Sequence, residues 1–127
     1  RLLLPENPDH DAHTLRSQLM QRFGLRTAVI VSDSHGRPFR MGTVGVAIGV
    51  AGLPALWDLR GTPDLFGTAL QVTDVGFADE LAAAAGLVSG QAGEGLPVVI
   101  IRGLSYPSLE DSAARDLIRN PEFNLYR

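Results

Sequence analysis

Between Val29 and Arg40 the chain reads Val-Ile-Val-Ser-Asp-Ser-His-Gly-Arg-Pro-Phe-Arg, which sets the carboxylate of Asp33 beside the hydroxyl of Ser34, with Arg37 and Arg40 just beyond. An acid next to a hydroxyl suits a hard cation, because Mg²⁺ and Mn²⁺ prefer oxygen ligands. Arginine suits phosphate, since its planar guanidinium binds two oxygens at once. A plain strand and turn, with Asp33 capping and the arginines solvated, accounts for the same residues equally well. The second stretch with chemical potential is the loop Ser89, Gly90, Gln91, Ala92, Gly93, Glu94, Gly95, Leu96. Its backbone N–H groups are little obstructed by side chains, and nests of amides of this kind cradle phosphate. It has neither the lysine of a Walker A loop nor its place before a helix, and on spacing alone a glycine-capped helix-to-strand connection explains it better. Gln91 adds an amide oxygen, a weaker metal ligand than a carboxylate.

Other polar groups have simpler accounts. Asp58, Arg60 and Asp64 lie in a turn and suggest an internal ion pair. Asp79 and Glu80 open a helix and suit its dipole. His10 and His13 sit three apart near a helix start; that spacing can chelate a metal, but exposed histidines beside acids are the commoner case. His35 lies within reach of a phosphate bound at the turn. No Ser-His-Asp spacing is recognisable, and no residue stands out as a nucleophile or base.

Elements must position these groups. Leu2-Leu3-Leu4 before Pro5 reads as a short strand, and Asp9 or Asp11 as the cap of a helix carrying Leu15, Leu19, Met20 and Phe23 on one face and closed by Gly24. Leu25 to Ser32 reads as a buried strand that stops at Asp33, in the position where open α/β sheets place ligands. From Met41 to Leu53 the chain is dense in glycine and small apolar residues, which predicts extended, buried structure rather than a helix. Leu70 to Val75 is a further strand, Phe77 to Val88 the clearest helix, and Pro97-Val98-Val99-Ile100-Ile101 a strand of parallel type. From Leu104 the chain is polar and reads as a helix or linker leaving the domain.

Composition narrows the possibilities. With 127 residues and 45% hydrophobic content the chain is one domain with a real core. It has no cysteine, so it has no disulfide, thiolate site or cysteine nucleophile. All 11 basic residues are arginine, which excludes a P-loop or Schiff-base lysine within these residues. A net charge of −3 with dispersed acids argues against nucleic-acid binding. The longest apolar run is too short and too glycine-broken to span a membrane. No signal peptide is visible, which predicts a cytoplasmic protein. The first residue is Arg1 rather than methionine, which suggests a piece of something longer. On the residues alone, the best class is a metal-dependent binder or transferase of phosphorylated ligands.

The order of the segments Val29 to Arg40, Val46 to Gly52, Asp58-Leu59-Arg60-Gly61, Asp64-Leu65-Phe66-Gly67, Val72-Thr73-Asp74-Val75, Ala78 to Ala82, and Gly90-Gln91 ahead of Pro97 to Gly103 closely resembles one family. This is the coenzyme F-420:L-glutamate ligases, or F-420-0:γ-glutamyl ligases. The resemblance runs from about Leu2 to Gly103. It implies an α+β fold, a mixed β-sheet with flanking helices within an intertwined homodimer. It also implies a GTP-dependent acid–amino-acid ligase that uses two divalent cations, Mg²⁺ or Mn²⁺, to join L-glutamate to coenzyme F-420-0 through an acyl phosphate, and then adds γ-linked glutamates. By position, Asp33 matches the family's metal-binding aspartate, Ser34 stands where a threonine usually holds the second metal, and Gln91 matches a Glu or Gln ligand of that metal. The loop from Ser89 to Leu96 matches a GTP-binding segment. Arg37 and Arg40 match turn arginines, for which a phosphate or substrate role is inferred.

The resemblance further implies that residues 1–104 are the C-terminal portion of the ligase domain and residues 105–127 a tail or linker, like the stretch that joins a nitroreductase-like domain in bifunctional members. Family members open with a region ending in an Asn-Ala-Gly-Ile-Asp-Ala-Ser-Asn-like motif, which supplies another metal aspartate and an asparagine to GTP. That region is expected as a missing partner of this chain. A non-catalytic nucleotide- or deazaflavin-binding module, or a dimerisation module, of the same fold is the alternative.

Overall fold

The computed structural model describes residues 4–123. The elements follow in the order α1 (Pro8–Phe23), β1 (Val29–Arg37), β2 (Arg40–Ala51), β3 (Trp57–Asp58), β4 (Asp74–Val75) and α2 (Phe77–Ser89), then 3₁₀ turns at Ala114–Leu117 and Pro121–Phe123. The fold is α+β, as expected. Among the described residues both sheets are two-stranded and antiparallel, β1 with β2 and β3 with β4, rather than one mixed sheet. No helix among these residues is long and apolar enough to cross a membrane.

The long β1–β2 hairpin is the frame. Its register pairs Val29 with Ala51, Asp33 with Val46 and Ser34 with Gly45, and shifts between Val31 and Ser32 and again between Gly36 and Arg37. β1 therefore does not stop at Asp33: it begins four residues later than Leu25 and runs on to Arg37. The turn is Pro38-Phe39, with Phe39 at φ +58°, a left-handed value that the second corner of a type II turn requires after proline. Asp33 and Ser34 thus lie within an antiparallel ladder, so the ligand rule for open parallel sheets does not apply to them.

The glycine-rich segment is extended, as its composition predicts, and the reason is close packing. A β-carbon on Gly45 would strike the carbonyl oxygen of Ala82 in α2, and one on Gly49 would strike that of Pro8 in α1. The two helices thus press backbone to backbone against β2. The core beneath is small-residue: Ala47, Val50, Leu53, Ala55, Ala78 and Ala114, with Ile30, Phe77, Leu81, Tyr106 and Leu117 packed around it.

Carboxylates seal the free edge of β2. The Ala47 N–H donates to Asp79 Oδ1 at 2.8 Å, and the Val50 N–H donates to Asp9 Oδ1 at 2.9 Å. Asp9 Oδ1 also accepts from the Ala114 N–H at 2.9 Å, so one oxygen joins α1, β2 and the C-terminal segment. Asp9 is therefore not the helix cap: Asn7 is, accepting from the His10 N–H at 3.1 Å. Gly24 closes α1 in the left-handed conformation, as expected.

Three further expectations are corrected. The segment after Leu104 does not leave the body. The buried Ser112 hydroxyl accepts from the Ala55 N–H at 2.7 Å, and Glu110 forms a two-pronged pair with Arg16 at 2.6 and 2.8 Å. Leu70 to Val75 forms a ladder only at Asp74–Val75, although Leu70 N–H and Thr73 C=O bond back to Thr62 and Leu59. Residues 97–101 form no ladder at all among the described residues. Of the expected strand Leu2-Leu3-Leu4, only Leu4 lies within the described residues, exposed and outside any element.

Candidate functional site

Asp33 and Ser34 occupy neighbouring positions on β1, and both are exposed. Asp33 Oδ1 accepts from the Ser34 N–H at 2.7 Å, which holds the carboxylate over its own strand. Directly opposing residues of a ladder point to the same face, so Ser34 shares the face on which Gly45 meets α2. The end of α2 then brings in the distant loop. A β-carbon built on Gly86 would lie 3.9 Å from the Gly45 nitrogen and 3.8 Å from Gln91 Nε2. Ser34, Gly45, Gly86 and Gln91 are thus consecutive neighbours, although 57 positions separate the first from the last.

The loop after α2 begins as a glycine cap, with the Gly90 N–H donating to the Gly86 carbonyl at 3.1 Å. Beyond the cap it folds around an anion of its own. Glu94 Oε2 accepts from the Ala92 N–H at 2.8 Å, and a β-carbon on Gly90 would collide with the Glu94 carboxylate. The Ala92 amide first, and Glu94's own amide second, hold this carboxyl below the usual glutamate range. The sequence shows glycines in this loop; that its one acid fills the concavity they create depends on the fold. The remaining loop residues Ser89, Gly93, Gly95 and Leu96 trace the same exposed connection, apart from the half-buried Ser89.

At the hairpin tip, Arg37 and Arg40 face each other in the register. Like charges directly opposite in a ladder repel, and an anion between them removes the penalty. Arg37 Nη2 donates to the Met41 carbonyl at 3.1 Å, while its Nε is buried with no hydrogen-bond partner. A buried unpaired donor is costly, and an anion would satisfy it.

Among the described residues no three His, Cys, Asp or Glu side chains converge on a possible metal position. Asp33, Ser34 and Gln91 offer oxygens of the right kind for Mg²⁺ or Mn²⁺ but only one carboxylate, so as donors they fit part of a site. The simpler accounts hold elsewhere. Asp58 pairs with Arg60 at 2.5 Å, with Asp74 also near Arg60, and the Arg60 hydrogen bonds hold Asp58 down to about 2. Asp64 instead caps its own turn, accepting from the N–H groups of Phe66 and Thr68 at 2.9 and 2.8 Å. His10 is exposed and pairs with Thr14 Oγ1 at 3.5 Å.

The family model described as F-420-0:gamma-glutamyl ligase matches residues 1–103. The coenzyme F-420:L-glutamate ligase of Methanocaldococcus jannaschii is 52% identical over 98% of this chain and 50% of its own length. Those of Methanothermobacter thermautotrophicus and Archaeoglobus fulgidus are 50% and 40% identical, over 98% and 99% of the chain. The chain spans about half the length of these curated relatives. A match over most of the sequence, by both measures, places the chain in the F-420-0:γ-glutamyl ligase family.

Proposed function

We propose that this chain carries one part of a ligase that joins L-glutamate to coenzyme F-420-0, with GTP and two divalent cations, Mg²⁺ or Mn²⁺. The observation that carries the reading is the run of neighbours from Ser34 through Gly45 and Gly86 to Gln91, which sets the Ser34 position of β1 and the glycine loop at the same end of α2. In the proposed reaction a substrate carboxylate oxygen attacks the γ-phosphorus of GTP, the bond to GDP breaks, and an acyl phosphate forms. The glutamate amine then attacks the carbonyl and phosphate leaves. Such transfer between anions needs charge neutralisation more than a side-chain nucleophile. Bound divalent ions would supply much of it.

This chain's residues have separable parts in that chemistry. Asp33, Ser34 and Gln91 would hold the cations. Arg37 and Arg40 would face phosphate or substrate, and the Arg37 Nε would gain the partner it lacks. The loop from Ser89 to Leu96 would take phosphate on its amides once the Glu94 carboxylate is displaced. The homodimer expected of the family and the region outside this chain belong to the same proposal.

The test is a GTP titration with and without Mn²⁺, read by calorimetry. GTP binding is expected to depend on Mn²⁺, and Asp33→Asn to weaken it about 100-fold, the upper end of what altered metal shells cost. Equal, metal-independent binding by wild type and Asp33→Asn would overturn the role of Asp33 and favour a non-catalytic module. Glu94→Gln gives the opposite sign. With the competing charge removed, GTP affinity should rise about fivefold, because a neutral amide holds the loop N–H groups less strongly than a carboxylate does. Unchanged affinity would show that phosphate does not enter this loop.

A further inference from the structure

Residues 97–101, Pro-Val-Val-Ile-Ile, present an uninterrupted apolar run, which is the pattern of a strand covered on both faces. Here one face is open and the other only partly covered. Val98 and Ile100, of one parity, are 80% and 72% exposed, while on the other parity Ile101 is 42% exposed and Val99 half-buried. No backbone–backbone hydrogen bond joins this segment to any other among the described residues. The apolar stripe of α1 is open as well, with Leu15, Leu19 and Phe23 exposed.

We propose that residues 97–101 are a strand completed by the half of the family's length that this chain does not span, which pairs with its backbone and covers its two faces. The run lies within residues 1–103, matched by the family model, so it belongs to the family's domain and not to a linker. The relatives devote as much sequence again to regions that this chain does not match. A second copy of this chain is the poorer occupant. It would bring one more bare edge for pairing, but the same uncovered run and no new element to cover it. The inference rests on family membership and not on the GTP and metal reading, so loss of ligase activity with the complex intact would count against that reading alone.

The test co-expresses the 127-residue chain with the portion of the Methanocaldococcus jannaschii relative to which it does not align. A one-to-one complex is expected by light scattering. Amide exchange at Val98, Val99, Ile100 and Ile101 should be slowed about 100-fold or more in the complex relative to the chain alone, as for amides drawn into a stable ladder. Val99→Pro and Ile100→Pro remove one N–H from each edge of the strand and should each weaken the complex at least about tenfold. Circular dichroism of the isolated variants should match wild type, because no backbone bond among the described residues is lost there. The proposal is overturned if no complex forms, if it forms with unchanged exchange at these amides, or if the proline variants bind like wild type. It is equally overturned if the chain alone forms a stable homodimer that protects the same four residues.

Discussion

Asp9→Ala is expected to lower the unfolding free energy by about 3–5 kcal/mol, because it leaves two part-buried backbone N–H groups, at Val50 and Ala114, without an acceptor. Each orphaned amide costs about 1–3 kcal/mol, and a domain of this size has only about 5–15 kcal/mol in total. The loss should be cooperative, since the same oxygen ties α1, β2 and the C-terminal segment together. Asp9→Asn separates charge from geometry. It keeps an acceptor oxygen at the same place but loses the charge assistance that makes such bonds about twice as strong, so its cost should be about half. Urea denaturation followed by circular dichroism measures both variants. If Asp9→Ala proves as stable as wild type, the clamp contributes nothing to folding. Ser112 deepens the same junction from the other side, through its bond to the Ala55 N–H.

Gly45→Ala should cost about 3 kcal/mol, the upper end of the overpacking range, because the added methyl meets the Ala82 carbonyl oxygen rather than a side chain that can turn away. Relief requires α2 to move off the hairpin. That movement carries Gln91 away from Ser34, so the variant should also lose Mn²⁺-dependent GTP binding beyond what its reduced stability explains. The comparison is made well below its melting temperature, where the folded fraction is near one. A stable Gly45→Ala protein with unchanged GTP binding would show that the close approach of α2 does not serve the site. Because Gly45 and Asp9 lie at different helix contacts, their stability effects should add within about 0.5 kcal/mol.

Much of this protein was legible in its order of residues, and what was legible was local. The apolar pattern, Gly24 and the alanine run mark α1 and α2 nearly to their ends, and the density of glycine and small apolar residues marks β2 as extended and close-packed. The family was legible too, because its signature is an ordered series of short segments, each read without reference to the others. Only the tertiary structure decided the roles that depend on a distant partner. It drew Asp33 and Ser34 into a ladder instead of leaving them at a strand end, since a residue's pairing is set by the strand beside it and not by its neighbours in sequence. It made Asp9 a clamp across the chain rather than a helix cap, turned Glu94 into the occupant of its own loop, and folded the polar tail back onto the core. Residues 97–101 show the same division most plainly. Their composition specifies a strand buried on both faces, but what covers them must come from outside the stretch itself, and the described residues leave Val98 and Ile100 exposed and join the run by no backbone bond.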